Sequence, residues 1–306
     1  RDDNYAGLFD FLAAAETASP PGYQQPSQAI IDIVDAPAAP SVRVAPGERV
    51  LALIQPRALP TVEDLARPEL RLAGLRFDPQ THGPSRARTA SSVQLVDLET
   101  RALRPVRGLP ESPRLANFEW SPDGGTLAFT HTSADGVRAW VLDARSGRAR
   151  QLSSRRLNAV FSDPCDWSGD SSALLCRAVP DDAGTPPVRP SVPLGPNVRA
   201  HSGAVEAAAR TYQDLLKDAF DERLFAWFAE AQLLRMPLDG RPRALGAPGP
   251  LRAHAVSPDG GHVLVTALEQ PFSQLVPYYR FAQRIEVRDA AGALVRVLSE
   301  LPLAED

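Results

Sequence analysis

No stretch of this 306-residue chain reaches the roughly 18–20 consecutive apolar residues that a membrane-crossing helix needs. Cysteine is nearly missing: Cys165 and Cys176 are too few to define a disulfide scaffold or a compartment. Methionine occurs once. Five histidines are present (His82, His131, His201, His254 and His262), and none stands at a metal-ligand spacing from a cysteine or another histidine. Asp163, Asp166 and Asp170 alternate with turn residues but lack the twelve-residue calcium loop and its closing Glu. A glycine-rich phosphate loop is absent too. Nothing in the sequence therefore calls for a metal or a cofactor. Positive charge is not in excess either: 33 Lys and Arg face 37 Asp and Glu, for a net charge of −4. That argues against a nucleic-acid partner or an anionic membrane surface.

What is present points to β structure. The 30 prolines suit a loop-rich β protein better than a helical bundle. A hydrophobic fraction of 43 % allows a substantial core. The length fits one large repeat architecture or two domains.

The sequence repeats itself. "WSPDGGTLAF" begins at Trp120, "WSGDSSALLC" at Trp167 and "VSPDGGHVLV" at Val256; "VAPGERVLALI" is a weaker fourth copy. Aligned on Ala45, Ser121, Ser168 and Ser257, the successive spacings are 76, 47 and 89 residues. A unit in the mid-forties, lengthened twice by insertion, is the size of one four-stranded propeller blade. Each copy reads as a strand, a tight Ser-Pro-Asp-Gly turn and an apolar strand. A second signal follows in each unit: "VQLVDLETRALRPV", "AWVLDARSGRARQL", "LLRMPLDGRPRAL" and "IEVRDAAGALVRVL". Each holds a strand, an Asp (Asp97, Asp143, Asp239, Asp289), a polar turn and another strand. Unrelated hairpins of a β-sandwich would not repeat both signals in fixed order.

The expectation is an all-β fold, a β-propeller of about four blades at 41–107, 113–152, 158–246 and 251–300, behind an N-terminal extension at 1–40. Residues 28–37 read as a short peripheral helix. An insertion at 57–90 carries a short helix, with Thr61 as N-cap and Asp64 at N3. Another at 178–230 predicts two helices, about 205–217 and 221–231, from Leu215, Leu216, Ala219, Leu224, Phe225 and Phe228. Trp227, Phe225 and Phe228 read as the packing face. His254 and His262 flank a turn and read as surface or satisfied strand residues. Cys165 and Cys176 fall opposite each other on the third blade's inner hairpin. A cross-strand disulfide and two separate buried thiols both fit, the thiols being the preferred reading.

Four further stretches carry a resemblance: "QPSQAIIDIVDAPAAPSV", "LARPELRLAGLRFDP", "RTYQDLLKDAFDERLF" and "PFSQLVPYYRFAQRIEV". Together they resemble the N-terminal propeller region of prolyl-oligopeptidase-family serine peptidases, closest to the glutamyl endopeptidase branch. The resemblance implies a propeller that caps a C-terminal α/β-hydrolase domain and restricts entry to short or unfolded peptides. It also implies a Ser-His-Asp triad with the serine on a G-x-S-x-G elbow. This chain has no G-x-S-x-G, and no βαβ series that could build a hydrolase domain. It stops after four blades, where the family's propeller continues.

The expected function is gating and selection of peptide substrate for a hydrolase domain absent from this chain, which is inactive alone. The expected partners are peptide substrate, the remaining blades and that hydrolase domain. A glutamyl side chain is best met by arginine, and insertions in relatives help to bind substrate. Arg210, Tyr212 and Arg280 are the resulting substrate-binding candidates. The alternative is a free-standing propeller that serves as a binding or scaffold module. Because the chain begins at Arg1 rather than Met, export to the periplasm or outside is expected, with a cytoplasmic location as the alternative.

Overall fold

The computed structural model describes residues 25–47, 49–57, 59–191 and 211–305. The chain divides into two compact units, 1–38 and 39–306. The described part of the first unit holds helix α1 (Gln28–Val34), shorter than the 28–37 expected, with Ile30, Ile33 and Val34 exposed.

The second unit is a β-propeller. Blade 1 opens with β1 (Ser41–Val44) and β2 (Val50–Pro56). An insertion follows, with helix α2 (Val62–Ala66) and strands β3 (Leu70–Leu72), β4 (Leu75–Asp78) and β5 (Gly83–Pro84). The Thr61 hydroxyl accepts from Asp64 N–H and the Asp64 carboxylate accepts from Thr61 N–H, closing a capping box. Strands β3 to β5 form a small antiparallel sheet that the sequence reading did not anticipate. They are too short for an alternation to register. Blade 1 then closes with β6 (Ala90–Asp97) and β7 (Leu103–Pro105).

Blade 2 comprises β8 (Leu115–Trp120), β9 (Thr126–Ser133), β10 (Gly136–Asp143) and β11 (Ala149–Gln151). The pairing of Ala90 with Leu115 joins its sheet to that of blade 1, and a parallel bridge between Arg107 and Arg148 adds a second link. Blade 3 has β12 (Cys165–Trp167), β13 (Ala173–Ala178), helix α3 (Ala219–Ala229), β14 (Gln232–Pro237) and β15 (Arg243–Ala244). Blade 4 has β16 (Leu251–Val256), β17 (His262–Leu268), a 3₁₀ turn at Tyr278–Arg280, β18 (Gln283–Asp289) and β19 (Leu294–Leu301). Every ladder between these strands is antiparallel, and the first strands of successive blades adjoin, so they form the inner wall.

The repeated turn has a chemical reason. Ser121 Oγ donates to Asp123 Oδ1 at 2.5 Å and accepts from Thr126 N–H at 3.0 Å, while Gly125 N–H donates to the same carboxylate. Ser257 with Asp259, and Ser168 with Asp170, repeat the arrangement. The turns also stack from blade to blade. A Cβ on Gly169 would lie 2.0 Å from the Pro258 carbonyl oxygen, so only glycine fits there.

Burial follows the blade order. Ile54, Leu95, Leu127 and Phe129 fill the seam between blades 1 and 2. Val141, Leu174 and Met236 fill the next, and Leu175, Leu233 and Val265 the third. Strand β13 is buried at every position, because a blade covers each of its faces. Buried indoles add a repeated link: Trp120 Nε1 donates to the Arg43 carbonyl at 3.0 Å and Trp167 Nε1 to the Glu119 carbonyl at 3.1 Å. The corresponding residue of blade 4 is Val256, which cannot donate. His254 Nε2 bonds the Leu175 carbonyl there instead, at 2.9 Å.

Two expectations need correction. Residues 211–217 are not helical, and 205–210 lie outside the described residues. Asp214 sits at φ +58°, which ends any helix through it, and Asp218 caps α3 by accepting from Asp221 N–H. Leu216 is buried from a loop, not from a helix face. The two cysteines are not separate thiols. Cys165 and Cys176 pair directly across β12 and β13 and form a disulfide.

Candidate functional site

Strand order decides where this propeller can be elaborated. In an antiparallel blade the first-to-second and third-to-fourth turns lie at one end. The second-to-third connection and the crossing to the next blade lie at the other. All the long excursions here join second to third strands: 57–89, 179–231 and 269–282. They therefore emerge at one end, away from the Ser-Pro-Asp-Gly turns.

At that end they share one core. Phe77 of β4, Phe161 of the crossing into blade 3, Phe225 and Phe228 of α3, and Phe272 and Phe281 of blade 4 are all buried together. Phe225 is its hub, with ring centroids 5.0 Å from Phe272, 5.7 Å from Phe281 and 6.2 Å from Phe161. Edge-to-face packing of this kind adds to plain burial. Trp227 meets Phe228 and His82 by ring contacts and donates to the Ala183 carbonyl, so it packs as expected. Backbone bonds join the excursions as well: Gly74 N–H to the Asp214 carbonyl at 2.9 Å, and Tyr278 N–H to the Ala73 carbonyl at 2.8 Å. Asn158, buried beneath, donates to the carbonyls of Phe228 and Glu230.

Of the three predicted site residues, Arg210 lies outside the described residues. Tyr212 packs on the aromatic core and lines an open cavity of about 570 Å³ with Arg71, Asp214, Leu216, Lys217 and Gln274. Arg280 follows Tyr278, which packs on the same core, and its Nε donates to the Ala304 carbonyl at 2.8 Å. Tyr212 and Arg280 thus belong to one platform.

A second cluster lies on the inner wall. Glu119 of β8 and Asp166 of β12 occupy the same slot of the repeat, two residues before the aligned serine. Desolvation by the surrounding wall, then the charges of Asp166 and Asp163, push the Glu119 carboxyl up to about 7, although the residue keeps an exposed surface. Burial, then Asp163, raise Asp166 to about 6 against the pull of Arg177. Asp163, though exposed at its surface, is raised by desolvation as well. Arg177 is 3 % exposed; its guanidinium donates to the Arg252 and Asp163 carbonyls, each at 2.6 Å. Burial lowers it to about 10. His254, 3.3 Å from Asp166, is pushed down to about 4 by burial and by Arg177. Only half of the ring is satisfied: Nε2 bonds the Leu175 carbonyl, while buried Nδ1 has no partner among the described residues. The sequence reading weighed Asp163 and Asp166 only as calcium ligands and passed over Glu119, Arg177 and Arg252. The alignment that exposed the repeat already placed Glu119 and Asp166 in register.

Fold and platform define a β-propeller domain elaborated at one end. No family model matches the chain. It is 36 % identical over 298 residues to "Probable glutamyl endopeptidase, chloroplastic" of Oryza sativa subsp. japonica, a match covering 93 % of this chain and 32 % of that protein. The protein of the same description from Arabidopsis thaliana is also 36 % identical, over 303 residues, covering 95 % of this chain and 31 % of that one. The chain spans about a third of the length of these curated relatives. Along nearly its whole length the chain is thus similar to about a third of each of two proteins named glutamyl endopeptidase. Among solved structures, Pyrococcus horikoshii acylaminoacyl peptidase matches 89 % of this chain and 34 % of its own at 12 % identity and a TM-score of 0.45. A structure described as putative TolB from Agrobacterium tumefaciens matches 87 % and 82 % at 13 % identity and a TM-score of 0.38. Likeness at that level adds nothing to what the sheets themselves establish.

Proposed function

We propose that this propeller gates and helps to select peptide substrates for a serine-peptidase catalytic domain carried elsewhere in the same protein. The observation that carries the reading is the match along nearly the whole chain to relatives three times as long that are named glutamyl endopeptidases. The one-ended platform supports it, since recognition usually sits on loops held by a rigid scaffold. Tyr212, Arg280 and the cavity beside Tyr212 are the platform surfaces offered to peptide. Strand β19 supports a partner role. It is eight residues long, and its Leu294, Val295 and Leu298 are exposed, which suits cover by further blades or by the catalytic domain. The Cys165–Cys176 disulfide suits an oxidising compartment such as the periplasm. The names of both relatives place those proteins in the chloroplast.

The test uses the full-length protein. A serine-directed covalent probe and a fluorogenic peptide with one Glu are applied to it and, in parallel, to the 306-residue chain. Labelling outside this chain, turnover of the short peptide and sparing of a folded protein containing the same sequence are expected. A probe adduct on a residue of this chain, or equal cleavage of folded and short substrates, overturns the reading.

A further inference from the structure

Most arginines around the platform and the inner wall already have a carboxylate. Arg76 pairs with Asp214, Arg67 with Asp78, Arg71 with Glu69, and Arg189 with Asp218 and Asp221. Arg252 differs. It lies on the first strand of blade 4, is partly buried, and has no carboxylate partner among the described residues.

Three features hold it. The β16–β17 register shifts between Leu251 and Ala253, so Arg252 is the extra residue of a bulge. Bulges turn one side chain out of the strand's alternation. Its carbonyl is pinned from blade 3 by Arg177 Nη1 at 2.6 Å. Its guanidinium donates through Nη1 to Gln283 Oε1 at 2.5 Å and stands 5.7 Å from the centroid of the Tyr278 ring. Gln283 is itself buried, and its amide donates to the Tyr279 carbonyl at 3.1 Å, which fixes which oxygen faces the arginine. Neither neighbour carries charge. The remaining guanidinium N–H groups of Arg252 have no protein partner among the described residues. Tyr279, 51 % exposed, meets the Tyr278 ring edge-on with centroids 5.7 Å apart.

An arginine that is oriented, partly desolvated and lacking a counter-charge is arranged to receive an anion from outside. A planar carboxylate suits its fork. We propose that Arg252 binds the side-chain carboxylate of an acidic residue in the peptide, with Gln283 and Tyr278 as its positioning residues. This rests on the peptide-selecting reading above and names the residue that would supply acidic preference. The sequence candidates Arg210 and Arg280 are not needed for it.

The test uses the full-length protein and blocked peptides, N-acetylated and C-terminally amidated, with Glu or Gln at a single position. Blocking removes the terminal carboxylate, so only a side chain can supply the charge. Arg252→Gln is expected to lower kcat/KM for the Glu peptide roughly tenfold to a hundredfold, the range for a hydrogen bond to a charged group. The Gln peptide should be unaffected, so the Glu/Gln ratio collapses, and Arg252→Lys should restore part of it. An unblocked peptide that alone responds would assign the site to a chain terminus and overturn the side-chain proposal. A Glu/Gln ratio unchanged in Arg252→Gln also overturns it. If the wild-type protein cleaves neither peptide, the peptidase reading fails by itself. Titration calorimetry with the same two peptides then decides about Arg252. Preferential binding of the Glu peptide that Arg252→Gln abolishes supports the site; equal binding to wild type and variant refutes it. A thermal melt of each variant shows whether the fold is intact, and Gln283→Leu, which frees the guanidinium without removing it, should weaken the Glu peptide with little change in kcat.

Discussion

The disulfide offers the most quantifiable prediction. Cys165 and Cys176 are 11 residues apart and close a loop around the Ser168–Ser172 turn. Cross-linking a loop of that length removes about 9 cal/mol/K of chain entropy from the unfolded state, or about 3 kcal/mol at 25 °C. Without the bond, β12 keeps a ladder of three residue pairs, the Trp167 indole bond to blade 2 and the Asp166 contact with His254. Cys165→Ala/Cys176→Ala, or dithiothreitol on the wild type, should therefore lower the unfolding free energy by about 3 kcal/mol. For a domain of this size that is a fall in midpoint of roughly 6–12 °C. Urea titration followed by tryptophan fluorescence measures it, since Trp167 lies beside the bond. Hydrogen exchange should quicken at 165–167 and not in β6. Equal midpoints with and without reductant, in protein shown by mass to be oxidised, would refute the reasoning. So would two free thiols in protein purified without reductant.

Other predictions address the platform and the wall. Phe225 has no exposed surface and three ring neighbours, so Phe225→Ala should cost about 3–5 kcal/mol in urea unfolding; a loss below about 1 kcal/mol would mean that the excursions do not share a core. The raised Glu119 carboxyl makes a claim about pH. Its folded value of about 7 lies above the ordinary 4.5, so between those values the folded chain keeps a proton that the unfolded chain has released. The stability tied to that proton is full below pH 4.5 and is lost as the pH rises through 7. Glu119→Gln should therefore gain on the wild type in melting temperature as buffers go from pH 5 to pH 8. A gap that does not change with pH would contradict the crowding of Glu119, Asp163 and Asp166.

How much of this could be read from the sequence depended on how local each cause was. The Ser-Pro-Asp-Gly repeat was legible because one serine and one aspartate make the same bonds to the backbone within six residues, in three blades. The Thr61 cap was legible for the same reason. The helix expected through 205–217 was not, because Leu215 and Leu216 keep a helical spacing while the chain turns at Asp214. Burial of Leu216 in the aromatic core satisfies that spacing without a helix. The disulfide was visible as a register and undecidable as a bond, since an opposed pair of cysteines looks the same in sequence whether bonded or free. Arg252 was invisible. Its meaning comes from a bulge, from Gln283 on another strand and from the Arg177 of another blade, none of which leaves a local mark.

The same topology that makes the propeller also limits what the proposed peptide selection can rest on. Every excursion leaves from the end that holds the second-to-third connections, so elaboration there cannot be matched at the Ser-Pro-Asp-Gly end, where Gly169 already touches the next blade. The excursions then spend their apolar residues on one another, in the core centred on Phe225. Among the described residues, a surface built so is a fixed rim rather than a set of independent flaps. Opening it would separate Phe225 from Phe272 and Phe281 and break the bonds from Gly74 and Tyr278. In the proposed function, selection by this rim therefore works through shape and charge already in place. Arg252, held before any ligand arrives, meets that demand better than an arginine on a mobile loop, because little orientation is left to lose on binding.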